Sequence, residues 1–327
     1  MFDRIPVIDL ERRSDGSSTV NPERLEEQLL HAYSTVGFAY VVGHGIDAEL
    51  VDAVFEQSRR FHALPHSVKM GVELNGVHRG FIPMGASTDV TSTLATVTKP
   101  NQSESFMMMR EAGPDDPEVL AGAYLAGPNQ WPDDLAEFRG VLERYHDAMS
   151  ALAQHVVTAL ASALGDTDGA IAGSFDPPTT WLRLLHYPPR PANAPDDLYG
   201  SAPHIDFGCI TLLAQDANGG LQVQTPDERW VDAPPMPGSF VVNVGTMLHR
   251  WSNGRLMATP HRVINRSGRE RYSVPFFYDP NVATVIEPLA CCIAADRPAQ
   301  FPPIRFDEFL RHELESSYLH HGDDPAP

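Results

Sequence analysis

The spacing of apolar residues predicts a helix-rich first half of the chain. Apolar side chains recur every three or four residues from Asn21 to Val36 and from Ala48 to Ala63, which is typical of amphipathic helices. The longest helix is predicted from Asp133 to Leu164, where the apolar stripe is continuous and Gly165 follows it. A final amphipathic helix is predicted from Phe306 to Leu319.

The second half of the chain has the pattern of a β-protein. From Thr179 onward apolar and polar residues alternate with period two, and glycine and proline residues separate the short segments. Alternation places Trp181, Arg183, Leu185 and Tyr187 on one face of the first segment. Several short strands at this spacing indicate a closed double-sheet jelly roll. The later strands are predicted at Cys209–Ala214, Leu221–Gln224, Ser239–Val244, His261–Asn265 and Tyr272–Phe277.

Together these patterns predict a fold that is mainly β with flanking helices. Strands at Pro6–Leu10 and Phe38–Val42 alternate with the first helices, so residues 1–178 are expected to form an α/β N-terminal half. That half would pack against a double-stranded β-helix (jelly roll) core at residues 179–285. A C-terminal helix and tail would follow at residues 286–327. The polar, unpatterned stretch Thr88–Thr98 is interpreted as a mobile lid.

Composition and charge narrow the classes of partner. The chain has 327 residues and a formal net charge of −19, which repels phosphate backbones, so nucleic acid is not an expected partner. No apolar stretch of about 18 residues is present to span a membrane. The three cysteines include the adjacent pair Cys291 and Cys292, so no disulfide framework is indicated. Because the N-terminus also lacks the pattern of a signal peptide, a cytoplasmic location is expected.

Three residues form a candidate metal site. His204 and Asp206 are two positions apart, so on a strand both side chains point to the same face. His261 lies 55 residues beyond Asp206, which is far enough for the chain to return and offer a third ligand. Two imidazoles and one carboxylate on one side of a metal form the facial triad of non-haem Fe(II) oxygenases. A His-x-Asp pair alone is a weak signal, so its surroundings decide the interpretation.

Those surroundings resemble a known family over nearly the whole chain. The segments His204–Asp216, Thr259–Val263 and Arg271–Phe277 resemble the metal-binding and acid-binding strands of the isopenicillin N synthase-like 2-oxoglutarate/Fe(II)-dependent oxygenases. The order of these segments along the chain is also that of the family. Further matching segments are Ile5–Leu10, Gly37–Gly45, Arg79–Phe81, Gly219–Val223, Phe240–Gly245 and Ser252–Gly254.

The resemblance implies cofactors and a role for each matched residue. His204, Asp206 and His261 would hold Fe(II) and leave about three coordination positions open for 2-oxoglutarate and O2. The family's Arg-x-Ser pair matches Arg271 and Ser273, which would bind the far carboxylate of 2-oxoglutarate. Tyr187, which precedes Pro188 and Pro189, resembles the tyrosine that also holds this co-substrate. Oxidative decarboxylation would yield succinate and carbon dioxide while a hydrogen atom is removed from the substrate.

Three other interpretations stay open at this point. Oxidases of the same family use O2 without 2-oxoglutarate and bind a substrate carboxylate with the same arginine and serine. Arg271 and Ser273 therefore indicate a bound acid without saying which acid. A non-catalytic protein that binds a small acid would keep the pocket but lose a metal ligand, and all three ligands are present. A zinc hydrolase would use the triad but would not need Arg271 and Ser273.

The substrate is expected to be a small molecule, and five residues are candidate contacts. Phe207, Phe277 and Leu185 are predicted to form apolar walls, although plant relatives commonly have asparagine in place of Leu185. Arg183 would pair with an anionic substrate or, alternatively, form an ion pair at the edge of the jelly roll. Glu104 is a candidate because the family often places a recognition strand there. The Arg-x-Leu-x-aromatic-Pro-Pro pattern, which begins at Arg183, is shared with ethylene-forming bacterial relatives, which favours an amino-acid-like substrate in secondary or amino-acid-derived metabolism. Hydroxylation, desaturation and cyclisation all begin with the same hydrogen abstraction, so each stays open.

Overall fold

The computed structural model describes residues 2–13, 15–87, 94 and 97–317. The helices within this part of the chain are α1 Pro22–Thr35, α2 Ala48–His62, α3 His66–Met70, α4 Pro117–Leu120, α5 Phe138–Leu164, α6 Thr246–Trp251 and α7 Phe306–Ser317. The strands are β1 Val7–Asp9, β2 Phe38–Val42, β3 Gly80–Ile82, β4 Glu104–Met109, β5 Thr179–Tyr187, β6 Ser201–His204, β7 Ile210–Gln215, β8 Leu221–Gln224, β9 Trp230–Asp232, β10 Phe240–Val244, β11 His261–Val263, β12 Arg271–Asp279, β13 Val285–Ile286 and β14 Ile304–Arg305.

Two sheets face each other and form the predicted jelly roll. The major sheet has eight strands in the order β1-β2-β10-β7-β12-β5-β4-β3, and the minor sheet has four in the order β6-β11-β8-β9. All neighbours in the major sheet are antiparallel except β1 and β2, which are parallel. The fold class predicted from the sequence, a mainly β protein with a jelly-roll core and flanking helices, is confirmed.

Each face of the major sheet buries its own apolar cluster. The helix face packs against the apolar stripe of α5 and against α1 and α2, forming the larger core. The site face points toward the minor sheet, and the smaller core lies between them. Members of the smaller core come from both sheets: Phe38, Tyr40, Tyr187 and Val241 from the major sheet, and Leu221, Val223 and Val263 from the minor sheet. This alternation follows from the period of two along a strand.

The helix boundaries follow local chemistry, with one prediction in error. The side chain of Asn21 accepts a hydrogen bond from the Arg24 N–H at 2.9 Å, so α1 begins at the predicted cap. Gly165 ends α5 in the left-handed conformation, with φ of 88°. The predicted start of this helix at Asp133 is wrong. The chain first makes short turns, in which Phe138 N–H donates to the Leu135 carbonyl, and α5 begins only at Phe138.

The major sheet is continuous across the predicted boundary between the N-terminal half and the jelly-roll core. Strands β1 to β4 come from residues 1–178, and they are hydrogen-bonded into the same sheet as β5, β7, β10 and β12. The boundaries at residues 178 and 285 stay predictions. The predicted lid at Thr88–Thr98 and the tail beyond residue 317 lie largely outside the described residues. None of the helices in the described part of the chain is both long and apolar enough to cross a lipid bilayer.

Candidate active site

The three candidate metal ligands meet at one end of the minor sheet. His204 is the last residue of β6 and pairs directly with His261, the first residue of the antiparallel strand β11. Asp206 follows in the turn after β6. One ligand atom from each of the three residues lies within 4.8 Å of the other two. Residues distant along the chain thus form a compact group of two imidazole nitrogens and one carboxylate oxygen.

Hydrogen bonds orient each ligand toward a shared point. Nδ1 of His204 donates to the Ala202 carbonyl at 2.7 Å, and Nδ1 of His261 donates to the Thr259 carbonyl at 3.3 Å. Both Nε2 atoms then carry the lone pair, and each lies 3.6 Å from Oδ1 of Asp206. This donor set fits Fe(II), because an imidazole ligand needs its second nitrogen held by a hydrogen bond.

The second carboxylate oxygen of Asp206 is fixed by the major sheet. Asn243 Nδ2 donates to Oδ2 at 2.8 Å, and the hydroxyl of Thr211 donates to the same atom. Burial raises the pKa of Asp206, but the nearby His261 and His204 and these two hydrogen bonds outweigh it, so the pKa is lowered. Burial and the neighbouring His204 lower the pKa of His261. Asp206 and His261 are therefore held in the deprotonated forms that bind metal.

Backbone hydrogen bonds from the start of α6 hold the turn that carries Asp206. The N–H groups of Gly245, Thr246 and Met247 donate to the carbonyls of Cys209, Asp206 and Gly208, at 2.8, 2.9 and 2.9 Å. Residue 245 must be small, because a Cβ there would lie 2.4 Å from the Gly208 carbonyl oxygen. Close backbone approach thus explains the glycine in the Val-Gly-Thr segment.

A buried arginine forms a second polar group on the site face. Arg271 is 0% exposed, and its guanidinium lies over the ring of Tyr187, 4.6 Å from the centroid. Of its five N–H donors, three donate to Gly219 O at 2.5 Å, Gln215 Oε1 at 3.2 Å and Ser273 Oγ at 3.3 Å. Two donors remain, and no carboxylate of the described residues lies within 4.0 Å.

This arrangement is incomplete without an anion. A buried cation is costly unless a counter-charge accompanies it, and a guanidinium with two free N–H groups matches a carboxylate. Arg271, Ser273 and Tyr187 are therefore brought together by the structure as the sequence predicted. Gln215 was not predicted as a partner of Arg271. It lies two residues beyond Leu213 on β7, so alternation places it on the same sheet face as Leu213, where it pairs with Ser273.

A cavity lies next to the metal ligands His204 and Asp206. Its volume is about 150 Å³, which is comparable to a cavity that holds benzene. His204 and Asp206 form one wall, and Arg183, Phe207 and Phe277 lie around it. Leu310 and Leu314 of α7 also line it, so the C-terminal helix covers part of the cavity. Three of the five predicted substrate contacts thus meet beside the metal ligands.

The other two predicted contacts lie elsewhere. Leu185 is on the site face but packs in the core between the sheets and does not line the cavity. Glu104 points to the helix face, where its carboxylate accepts hydrogen bonds from Lys69 Nζ at 2.7 Å and His186 Nδ1 at 3.0 Å. We correct the prediction for Glu104, because β4 pairs Glu104 with His186 and both side chains face the helices.

Sequence reasoning missed an acidic residue of the cavity. Asp279, the last residue of β12, lines the cavity and is 3% exposed. It lies on the same strand face as Arg271, Ser273 and Phe277, because these positions differ by even numbers. The predicted strand ended at Phe277, so the signal in the alternation was present but was not extended far enough.

Two imidazoles and one carboxylate, together with a buried arginine that has no carboxylate partner among the described residues, define a site of the Fe(II)- and 2-oxoacid-dependent oxygenase class. Comparison with known families agrees. Residues 178–280 match the 2OG-Fe(II) oxygenase superfamily, and residues 5–134 match the N-terminal domain described as non-haem dioxygenase in morphine synthesis. A 2-oxoglutarate-Fe(II) type oxidoreductase of Emericella nidulans, hxnY, is 37% identical over 96% of this chain and 90% of its own. The chain belongs to the 2OG-Fe(II) oxygenase superfamily.

Other similar proteins extend this result. A homoarginine-6-hydroxylase of Arabidopsis thaliana is 33% identical, covering 89% of each chain. Among solved structures, that of a full-length Neurospora crassa protein in complex with α-ketoglutarate and thymine has a TM-score of 0.82 and 30% identity, covering 96% of this chain and 97% of its own. The protein is a 2-oxoglutarate-dependent dioxygenase that uses Fe(II), 2-oxoglutarate and O2 and acts on a small molecule.

Proposed function

We propose that His204, Asp206 and His261 bind Fe(II) and that Arg271, Ser273 and Tyr187 bind the far carboxylate of 2-oxoglutarate. The observation that carries the second assignment is the buried Arg271 guanidinium, which has two N–H donors left and no carboxylate of the described residues within 4.0 Å. A five-carbon diacid anchored at this end of β12 would extend along the site face toward the metal ligands.

Each group of this chain has a defined task in the reaction. Bound Fe(II) supplies O2 activation, coupled to decarboxylation of 2-oxoglutarate to succinate. Asn243 and Thr211 hold Oδ2 of Asp206, so only Oδ1 faces the histidines. The ring of Tyr187 lies against the Arg271 guanidinium and covers one of its faces. These groups fix the co-substrate at one end of the site and leave the cavity for the substrate.

We further propose that the cavity beside His204 binds the substrate and that Arg183 recognises an anionic or carbonyl group on it. Nε of Arg183 donates to Ser105 Oγ at 2.8 Å. In the described part of the chain its two terminal nitrogens contact no acceptor, which argues against the ion pair considered at the edge of the jelly roll. Phe207 and Phe277 provide apolar walls for a substrate about the size of one ring.

The relatives support a small, nitrogen-containing substrate. Homoarginine and thymine, named with two similar proteins, are both small molecules with N–H groups and carbonyl or carboxylate oxygens. We therefore place this enzyme in secondary or amino-acid-derived metabolism. The cytoplasmic location stays a prediction, and the three cysteines, Cys209, Cys291 and Cys292, are all free thiols, as a reducing compartment favours.

The experiment that tests the co-substrate assignment measures succinate formation from 2-oxoglutarate by the Fe(II)-loaded protein in air. We expect succinate and equimolar carbon dioxide in the wild type. Arg271→Met should form succinate only at much higher 2-oxoglutarate concentrations. Substrate oxidation with O2 consumption but without succinate would instead identify an oxidase that needs no 2-oxoglutarate.

A further inference from the structure

The buried carboxyl of Asp279 has no part in metal or co-substrate binding. Its Oδ1 accepts a hydrogen bond from the Cys209 N–H at 2.7 Å, and the indole N–H of Trp181 also donates to this carboxyl. Gly208 makes the first contact possible, because a Cβ there would lie 1.7 Å from Oδ1 of Asp279. The side chain is thus held at a fixed place in the wall of the cavity.

Within the described ranges of the chain, no positively charged side chain is paired with this carboxyl. Among the described residues, no Lys, Arg or His nitrogen lies within 4.0 Å of it. Burial, together with the nearby Asp206, raises the pKa of Asp279 to about 7, against the effect of the hydrogen bonds from Cys209 and Trp181. A carboxylate has about four acceptor positions, and the two N–H donors leave capacity for another donor. An N–H or ammonium group entering the cavity would satisfy it.

Asp279 and Arg183 lie toward opposite ends of the same strip of the site face. Trp181 pairs with Phe277, and Asp279 pairs with Thr179, whereas Arg183 lies two residues beyond Trp181 in the other direction. The backbone positions of Asp279 and Arg183 are therefore about 13 Å apart along the strands. The paired residues Trp181 and Phe277 occupy the strand positions between them and also line the cavity.

We propose that Asp279 is a specificity-determining residue that accepts a hydrogen bond from a substrate nitrogen while Arg183 binds an acceptor at the substrate's other end. The substrate class is then a ring-sized molecule that carries both an N–H or ammonium donor and a carboxylate or carbonyl oxygen. This inference rests on the proposed function, since it places the substrate in the cavity beside His204.

The opposite polarity of the two ends is the basis of selection. A monofunctional acid would leave the buried Asp279 carboxyl without a further donor, and a monofunctional amine would leave Arg183 without an acceptor. A pocket built to pair a polar group discriminates strongly against a ligand that lacks the matching group. A purely apolar ligand would fill the volume of about 150 Å³ but would satisfy neither end.

The first test compares matched probes on the wild-type protein loaded with Fe(II) and 2-oxoglutarate without O2. Dissociation constants are measured by calorimetry for isonipecotate (piperidine-4-carboxylate), cyclohexanecarboxylate and piperidine, and for 3-aminobenzoate, benzoate and aniline. In at least one series, the bifunctional member should bind about tenfold tighter or more than either monofunctional member. Equal affinity within both series, or no binding by either bifunctional probe, would overturn the proposal.

The second test assigns each preference to its residue. Asp279→Asn should reduce the advantage of the bifunctional probe over the acid about tenfold, and Arg183→Met should reduce its advantage over the amine by a similar factor. Glu104→Gln is the matched control, because it changes a buried carboxyl on the opposite face and should preserve both ratios. Unchanged ratios in a folded Asp279→Asn protein would refute the role of Asp279. If that variant does not fold, the wild-type series decides alone.

The two proposals fail differently. Succinate formation by the wild-type protein from Fe(II), 2-oxoglutarate and O2 tests the proposed function and needs no probe. If succinate forms and the probe series shows no preference, only the role of Asp279 is lost. If no succinate forms at any 2-oxoglutarate concentration, the proposed co-substrate binding fails as well.

Discussion

The two faces of the major sheet both bury charged side chains, yet they treat those charges in opposite ways. On the helix face, Glu104 accepts hydrogen bonds from Lys69 at 2.7 Å and from His186 at 3.0 Å. On the site face, neither Arg271 nor Asp279 has an oppositely charged partner within 4.0 Å among the described residues. The adjacent residues His186 and Tyr187 show that one strand serves both faces.

The difference between the two faces distinguishes charges that stabilise the fold from charges that bind ligands. The helix-face charges cancel inside the protein: Lys69 and His186 lower the pKa of Glu104 to about 2 against the effect of burial. Burial also lowers the pKa of His62, beside His186, to about 3, so it adds no charge near neutral pH. The site-face charges are left for ligands to complete. We therefore expect substitutions on the helix face to change stability and those on the site face to change binding.

The largest expected effect is on the metal ligands. Single replacements His204→Ala, Asp206→Ala and His261→Ala should each abolish Fe(II)-dependent succinate formation, because two remaining ligands do not hold Fe(II) in place. Activity is measured under saturating 2-oxoglutarate, and bound iron is measured separately. The control His31→Ala, at an exposed histidine of α1, should retain both. Full activity in any ligand variant would remove that residue from the site.

The next largest effect is expected on 2-oxoglutarate binding, where the two buried arginines Arg79 and Arg271 should differ. Arg79 is 2% exposed and donates to the carbonyls of Val77, Leu125 and Arg110, so it ties loops together. Arg271→Met should weaken 2-oxoglutarate binding by about 2 to 5 kcal/mol, or about 30-fold to several thousand-fold. Arg79→Met should leave that affinity within a few-fold.

Stability gives the reciprocal measurement for the same pair. Arg79→Met should lower the free energy of unfolding by about 1 to 3 kcal/mol, because its carbonyl partners lose their donor. Both variants are measured by urea unfolding and by 2-oxoglutarate titration. An equal loss of 2-oxoglutarate affinity in both proteins would contradict the distinction between structural and ligand-binding arginines.

A third prediction concerns the ion pair on the helix face. Lys69→Met removes one partner of a pair whose side chains are 7% and 10% exposed. Leaving the Glu104 charge buried beside only His186 should lower the free energy of unfolding by about 3 to 5 kcal/mol. The dissociation constant for 2-oxoglutarate, measured below the unfolding transition, should stay within a few-fold of the wild type. A weaker 2-oxoglutarate complex without a change in stability would reverse the assignment of this face.

The last prediction concerns the pH dependence of stability, to which the two buried carboxyls contribute with opposite signs. The pKa of Glu104 is lowered to about 2 from 4.5, so its contribution to stability is present above pH 4.5 and is lost as pH falls toward 2. The pKa of Asp279 is raised to about 7 from 3.8, so its ionisation reduces stability as pH rises from about 4 to 7.

Two variants, each lacking one of these carboxyls, separate their contributions to the change of stability with pH. Relative to the wild type, Asp279→Asn should become progressively more stable as pH rises from 4 to 7, by at most about 1.4 kcal/mol per pH unit. Glu104→Gln should become progressively less stable relative to the wild type as pH rises from about 2 to 4.5. Urea unfolding of the metal-free proteins across this range measures both. Parallel pH curves for the wild type and Asp279→Asn would show that the carboxyl titrates normally.

Much of the fold was predictable because local patterns determine it. Alternation in β5 correctly separated Tyr187 from His186, and the Asn21 cap and Gly165 marked helix ends. The start of α5 was less readable, because Leu135 is buried like a helix residue although it lies in a turn. An apolar stripe reports burial, and burial alone does not fix the backbone conformation.

Parts of the site depend on contacts between distant elements, which the sequence pattern does not reveal. Glu104 was misplaced because the register of β4 on β5, which sets its face, is a long-range property. Leu310 and Leu314 reach the cavity only through the docking of α7, far along the chain from His204. By contrast, the Arg-x-Ser pair needed only the period of a strand, because Arg271 and Ser273 both lie on β12. Residues on one strand were predictable together, whereas contacts between elements were not.

The central claim, that the site face leaves its charges for ligands, is tested most directly by anaerobic titration of the protein with Fe(II) and 2-oxoglutarate. The wild type should develop a weak visible charge-transfer band that requires both additions and saturates at one 2-oxoglutarate per chain. Asp206→Ala should give no band, and Arg271→Met should need far more 2-oxoglutarate to reach it. A band of unchanged strength and midpoint in both variants, or none in the wild type, would contradict the assignment of these charges to metal and co-substrate.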